Sequence, residues 1–223
     1  MQVDHETGRD AFLSAASSFV ACVAALDDHA LLAASRCHGW ALVDVVVHVH
    51  LGLQEMTADL LSAAKDGRRP DHDAATYWRT QPPGTAPDAV ASTLYVRRLG
   101  SAFVRPSGVL APLRATVDAL ARGLPQVPDG QLGFQGHVLT TGDFLTTWAV
   151  ELAVHQLDLG LEVDVLPPDP AGLALARRTL EELLGATLPG DDVRAVLLGT
   201  GRVQPDADER TALGEAAGGL PVF

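Results

Sequence analysis

The chain has 223 residues, 47% of them hydrophobic, and its 28 acidic side chains outnumber 16 basic ones to give a formal net charge of −12. That is ample apolar material for one large domain, or a main domain with a small appendage. The acidic excess argues against a polyphosphate partner unless a local basic stripe exists. The densest basic spots are the pairs Arg68–Arg69, Arg97–Arg98 and Arg177–Arg178, each near acids or apolar residues, so no nucleic acid is expected.

The segment Met1 to Glu6 lacks the positive region and apolar stretch of a secretory signal. No apolar run reaches the length of about eighteen residues that a membrane span needs. A cytoplasmic protein with no membrane partner is therefore expected.

In chain order, Phe12, Leu13, Ala16, Phe19, Val20, Val23 and Leu26 recur at steps of three and four, which predicts a helix over residues 8–26. Cys22 falls inside it as a core residue. Cys37 stands beside His38 in the following loop, but adjacent residues seldom aim at each other, so a nucleophile–base pair is disfavoured there. With only two cysteines there is neither a disulfide framework nor a zinc-finger pattern.

A second helix is predicted from Trp40 to Ala64. A long loop over 65–86 follows, marked by Lys65-Asp66-Gly67-Arg68-Arg69-Pro70 and Gln81-Pro82-Pro83-Gly84. It carries Tyr77 and Trp78, as a lid or as packing over the bundle. A third helical stretch over 87–122 should break or kink at Pro106-Ser107-Gly108. The fourth starts after Thr140, which forms a capping-box pattern with Asp143, and stops at Gly160. Four long helices make an antiparallel bundle over residues 1–165 the economical architecture. Residues 166–223 read as a small C-terminal α or α/β extension packed on it. Ala171–Leu184 is predicted as a helix, Val193–Leu198 as a helix or short strand, and Pro205–Ala217 as a short helix.

The residues that carry chemistry lie on the second and fourth helices. Glu151 and His155 are four apart, hence on one face, among the apolar neighbours Ala149, Val150, Leu152 and Val154. A buried carboxylate and imidazole need partners, and one divalent cation satisfies both; the same spacing also occurs on solvated helix faces. On the second helix, His48 and His50 stand in the apolar run Val45–Leu51 and point about 200 degrees apart, so both cannot face one site. Asp44, one turn before His48, is a candidate to orient its imidazole. A core histidine bonded to a carbonyl remains open for either residue, and periodicity does not choose between them.

Gly39-Trp40-Ala41-Leu42-Val43-Asp44-Val45-Val46-Val47-His48 resembles the Gly-Trp-x-x-x-Asp-x-x-x-His segment of the mycothiol-dependent maleylpyruvate isomerase N-terminal family, a branch of the DinB-like four-helix bundles. Glu151-x-x-x-His155-x-x-Asp158 is similar to the family's second metal segment. The closing text Leu197-Leu198-Gly199-Thr200-Gly201-Arg202 and Leu220-Pro221-Val222-Phe223 also looks like family tails. The resemblance implies a divalent metal, zinc first and nickel, iron or manganese as alternatives, held by His48, Glu151 and His155. His50 corresponds to no ligand. Asp44 and Asp158 are implied as supporting residues, and Arg202 is the nearest counterpart of a tail arginine in the isomerase's active site. The implied activity is that of a metal- and mycothiol-dependent S-transferase or isomerase, with a small-molecule thiol and a small electrophile as partners. Two alternatives carry the same ligands: a non-catalytic metal-binding protein for small molecules, and a metal-dependent hydrolase. One departure sets the chain apart, because only about 55 residues follow Pro168 where the isomerase proper is expected to have a sizeable second domain.

Overall fold

The computed structural model describes residues 1–62, 68–81 and 89–223. The loop signals Lys65-Asp66-Gly67 and Pro82-Pro83-Gly84, and the ends predicted at Ala64 and at residues 87–88, lie outside the described residues. Helix α1 (His5–Ala24) is started by Asp4, whose carboxylate accepts the Thr7 N–H at 2.9 Å. It buries Phe12, Ala16, Phe19 and Val23 of the stripe that the periodicity marks, together with Ala15 and Cys22, while Leu13 and Val20 are only partly buried. Helix α2 (Leu42–Ser62) follows a loop pinned by a bridge between Ala34 and Ala41.

The third predicted stretch is two helices rather than one kinked one. Helix α3 (Ala89–Gly100) ends before the proline, and the chain re-enters helix through a 3₁₀ turn, Pro106–Val109, that leads into α4 (Leu110–Gly123). Asp28 anchors that turn by accepting the Ser107 N–H at 2.8 Å and pairing with Arg105. Between α4 and the next helix lies a hairpin that periodicity did not reveal, β1 (Gln131–Phe134) against β2 (His137–Thr140), antiparallel with Leu132 opposite Leu139. Its two turn residues, Gln135 and Gly136, have φ of 48° and 87°. Tight two-residue hairpins demand such left-handed pairs, usually with glycine or asparagine in place of glutamine.

Helix α5 (Thr141–Asp158) is capped by Thr140, which accepts the Asp143 N–H and donates to its carboxylate at 2.8 Å. Nearly every side of α5 is buried, Glu151 and Leu157 being the partial exceptions. This explains why it is apolar all round instead of along one stripe. Its first turn meets α1 at two glycines, where a Cβ on Gly8 would stand 2.3 Å from the Gly142 carbonyl oxygen. Helices α1, α2, α4 and α5 form the four-helix bundle, with α3 laid on α2. Beyond it, α6 (Pro170–Leu184) packs on α1 and α5, α7 (Asp192–Gly199) on α6 and α5, and α8 (Ala207–Leu213) follows. Leu173, Leu180, Ala195 and Val196 join the same core as Phe12 and Phe144. The protein is thus mainly α-helical, a DinB-like bundle with a small helical extension. No described helix is long and apolar enough to cross a membrane.

Candidate metal centre

Glu151 and His155 stand one turn apart on α5, and α2 brings His48 against them. His155 Nε2 lies 3.1 Å from Glu151 Oε1, and His48 Nε2 lies 3.5 Å from the same oxygen. The two imidazoles meet edge to face with centroids 4.8 Å apart. One donor atom from each of the three residues falls within 4.8 Å of the others. The His155 side chain is only 9% exposed, whereas Glu151 and His48 are 27% and 38% exposed, so the cluster opens on the His48 side. Trp40, reached through Gly39 at φ 81°, lies beside His48 with ring centroids 5.1 Å apart.

The far side of His155 is closed by a charged chain. Its Nδ1 lies 2.9 Å from Asp158 Oδ2, a carboxylate with no exposed side-chain surface. Arg202 grips that carboxylate with a fork, Nε to Oδ1 and Nη2 to Oδ2, both at 3.1 Å. This is the bidentate geometry that makes arginine the favoured partner of a buried carboxylate. A third Arg202 nitrogen donates to the Thr200 carbonyl at 3.1 Å. The Cys37 thiol donates to Asp158 Oδ2 at 3.2 Å and lies 3.9 Å from His155 Nδ1. Sequence reasoning weighed Cys37 only against its neighbour His38. Its contact is with residues about 120 positions away, which no local pattern reveals.

The charges follow from these contacts. Burial favours the neutral forms of Glu151 and Asp158. Their partners prevail: the charge and hydrogen bond of His155, with a hydrogen bond from His48, for Glu151, and His155 with Arg202 for Asp158, holding both carboxyls far below the usual range. Burial likewise opposes a proton on His155, but Glu151 and the hydrogen bonds to Asp158 and Cys37 outweigh it and raise its pKa well above that of a free imidazole. Without a metal the cluster is therefore an imidazolium held between two carboxylates.

Two other residues singled out in the sequence lie outside this cluster. His50 points away to α4, with Nε2 3.1 Å from Thr116 Oγ1, and burial lowers its pKa. It is a satisfied core histidine. Asp44 is not brought to His48: its Oδ2 accepts the Ala41 N–H at 2.9 Å, and its Oδ1 faces Gly100, where an added Cβ would stand 2.6 Å away. The unpaired N–H groups at the start of α2 claim its carboxylate.

His48 and Glu151 form one end of a cavity of about 250 Å³. Its walls are aromatic, with Trp148 from α5, Tyr77 and Trp78 from a 3₁₀ turn (Thr76–Thr80) and Phe134 from β1. Trp78 is buried and stacks on Phe223 with centroids 4.3 Å apart, so this segment is a wall of the cavity. Polar groups line the same cavity. Gln135 Oε1 accepts from Tyr77 Oη at 2.9 Å and from Gln81 Nε2 at 3.0 Å, with Glu55 beside them. The hairpin residues Phe134 and Gln135 escaped sequence reasoning; the Gln135-Gly136 pair was the available turn signal.

Comparison with known proteins places the chain by family and fold. No curated protein sequence matches the chain. A crystal structure of a histidine-to-alanine variant of the mycothiol-dependent maleylpyruvate isomerase superposes with a TM-score of 0.61 at 16% identity, covering 89% of each chain. The two chains are thus of similar extent, which removes the expected contrast in their C-terminal parts. The family model of the mycothiol maleylpyruvate isomerase N-terminal domain matches residues 12–160, which run from α1 to just past α5 and hold His48, Glu151, His155 and Asp158. The chain belongs to the mycothiol maleylpyruvate isomerase N-terminal domain family.

Proposed function

We propose that this protein is a metal-dependent enzyme that uses a low-molecular-weight thiol, mycothiol, to transfer sulfur to, or isomerise, a small electrophile. The observation that carries the reading is the convergence of His48, Glu151 and His155, of which His48 and Glu151 line an aromatic cavity. Two imidazole nitrogens and a carboxylate oxygen suit zinc and leave it an open position, and nickel, iron or manganese accept the same set. When bound, the metal supplies the positive charge that keeps an incoming thiol ionised at neutral pH.

The chain's own residues do the rest. Asp158, accepting the His155 Nδ1 proton, directs the Nε2 lone pair toward Glu151 and fixes the ring. Arg202 neutralises Asp158, so that a second buried carboxylate does not compete for the cation. Trp78, Trp148 and Phe134 exclude water from the reacting end, while Gln81, Gln135 and Glu55 offer hydrogen bonds to a polyhydroxylated thiol carrier. No protein thiol is needed. Cys37 lies on the Nδ1 side of His155, opposite the nitrogen that faces Glu151.

Turnover of a small electrophile should require both metal and mycothiol, and should persist in a variant combining Cys22→Ser with Cys37→Ser. Hydrolysis without thiol, lost in His48→Ala, would favour metal-bound water. Metal-loaded protein inert toward a panel of thiols and esters would favour a binding protein.

A further inference from the structure

Among the described residues a second group of donors converges outside the cavity. Asp71 and His72 run beside the hairpin: the Asp71 N–H donates to the Val138 carbonyl at 3.0 Å, and the Val138 N–H donates to Asp71 Oδ1 at 2.8 Å. His137, which opens β2, faces His72 edge to face with centroids 4.4 Å apart. His72 Nδ1 lies 2.9 Å from Asp71 Oδ1, and one donor atom from each of the three residues falls within 4.8 Å of the others. None of them lines the cavity. Their backbones come from two separate stretches of chain, held in register by the hydrogen bonds to Val138.

We propose that Asp71, His72 and His137 form a second, surface divalent-cation site. Two imidazoles with one carboxylate select a borderline-soft ion such as zinc, nickel or copper over calcium or magnesium, whose preferred partners are all oxygen. Metal–ligand bonds of about 2.1 Å place tetrahedral donors roughly 3.4 Å apart. The three donor atoms already lie within 4.8 Å of one another, and all three residues retain exposed surface, so waters can complete the shell.

The site ties together two elements that wall the cavity. One carries Tyr77, Trp78 and Gln81; the other carries Phe134 and Gln135. At the cavity Tyr77 and Gln81 both donate to Gln135, and a cation bridging His72 to His137 adds a further tie along the same seam. Its role is to brace the wall. The His48 cluster holds its own metal independently of it.

Equilibrium dialysis against zinc tests this directly. Wild-type protein should bind two equivalents. A variant combining His72→Ala with His137→Ala should lose the weaker one, with its affinity reduced at least about tenfold, and should keep the tighter one. In the His48→Ala/His155→Ala background only the weaker class should remain, which separates this site from the proposed catalytic one. Zinc added to that background should also slow hydrogen exchange at the Val138 amide, whose acceptor is Asp71. A weaker equivalent that survives removal of both His72 and His137, or a Val138 amide indifferent to zinc, would overturn the assignment.

Discussion

The helices that carry the candidate ligands and the wall that faces them are built differently. Every candidate ligand stands on a long helix, His48 on α2 and Glu151 and His155 on α5, and α5 is buried on nearly all sides. The wall consists of a five-residue 3₁₀ turn and a four-residue-stranded hairpin whose turn places Gln135 at φ 48°. Long buried helices hold donor atoms with little freedom, which a coordination sphere requires. Short elements with unusual backbone geometry change easily and suit the part of a site that chooses its ligand. On the function proposed above, metal affinity belongs to the bundle and substrate choice to the wall.

Removing a bundle ligand gives the largest expected effect. His48→Ala, Glu151→Ala and His155→Ala should each lose most of the bound metal by elemental analysis, while His50→Ala, which loses only a bond to Thr116, should retain it. Metal retained in all three ligand variants would break the comparison at its stronger side. Next comes the orienting carboxylate. Asp158→Asn preserves the shape but weakens the charged contacts with His155 and Arg202, and metal affinity should fall by about 10- to 100-fold in a competitive chelator titration. Unchanged affinity would mean that the packing of α5 alone positions His155.

Protons should compete with the metal. The raised pKa of His155 means that it is protonated in the metal-free protein at neutral pH, so metal binding releases that proton. Affinity should therefore rise with pH, by about tenfold per unit below the metal-free His155 pKa, and level off above it. Calorimetry in buffers of different ionisation heat measures the released proton. An affinity flat between about pH 6 and 8 would remove His155 from the ligand set.

The smallest effect belongs to the wall. Trp78→Ala removes a ring stacked on Phe223 and should leave metal content unchanged while raising KM for the thiol by about two- to tenfold. A loss of metal in this variant would show that wall and bundle are not separable.

How much of this was legible in the sequence follows the same division. Helix α5, its Thr140 cap and the Glu151–His155 spacing were readable because they are local. The choice of His48 over His50 was not: a helical wheel separates the two but cannot say which faces α5, and Thr116 on α4 settles His50. The hairpin stayed hidden because its strands are four residues each, too short for alternation to stand out. The break between α3 and α4 was readable from Pro106, but the early end at Gly100 was not, because the turn anchored by Asp28 depends on a residue nearly eighty positions away. Cys37 beside Asp158 was invisible for the same reason. The family resemblance selected the ligand set from residues that periodicity alone left ambiguous.

The most direct measurement is a thiol titration of the cobalt-substituted protein, followed by visible and near-ultraviolet absorption. A metal held by His48, Glu151 and His155 with an open position should take mycothiol as its thiolate, giving a sulfur-to-cobalt charge-transfer band that saturates at one equivalent and is absent from His155→Ala. A cobalt spectrum that mycothiol leaves unchanged, or a band that persists without His155, would contradict the account.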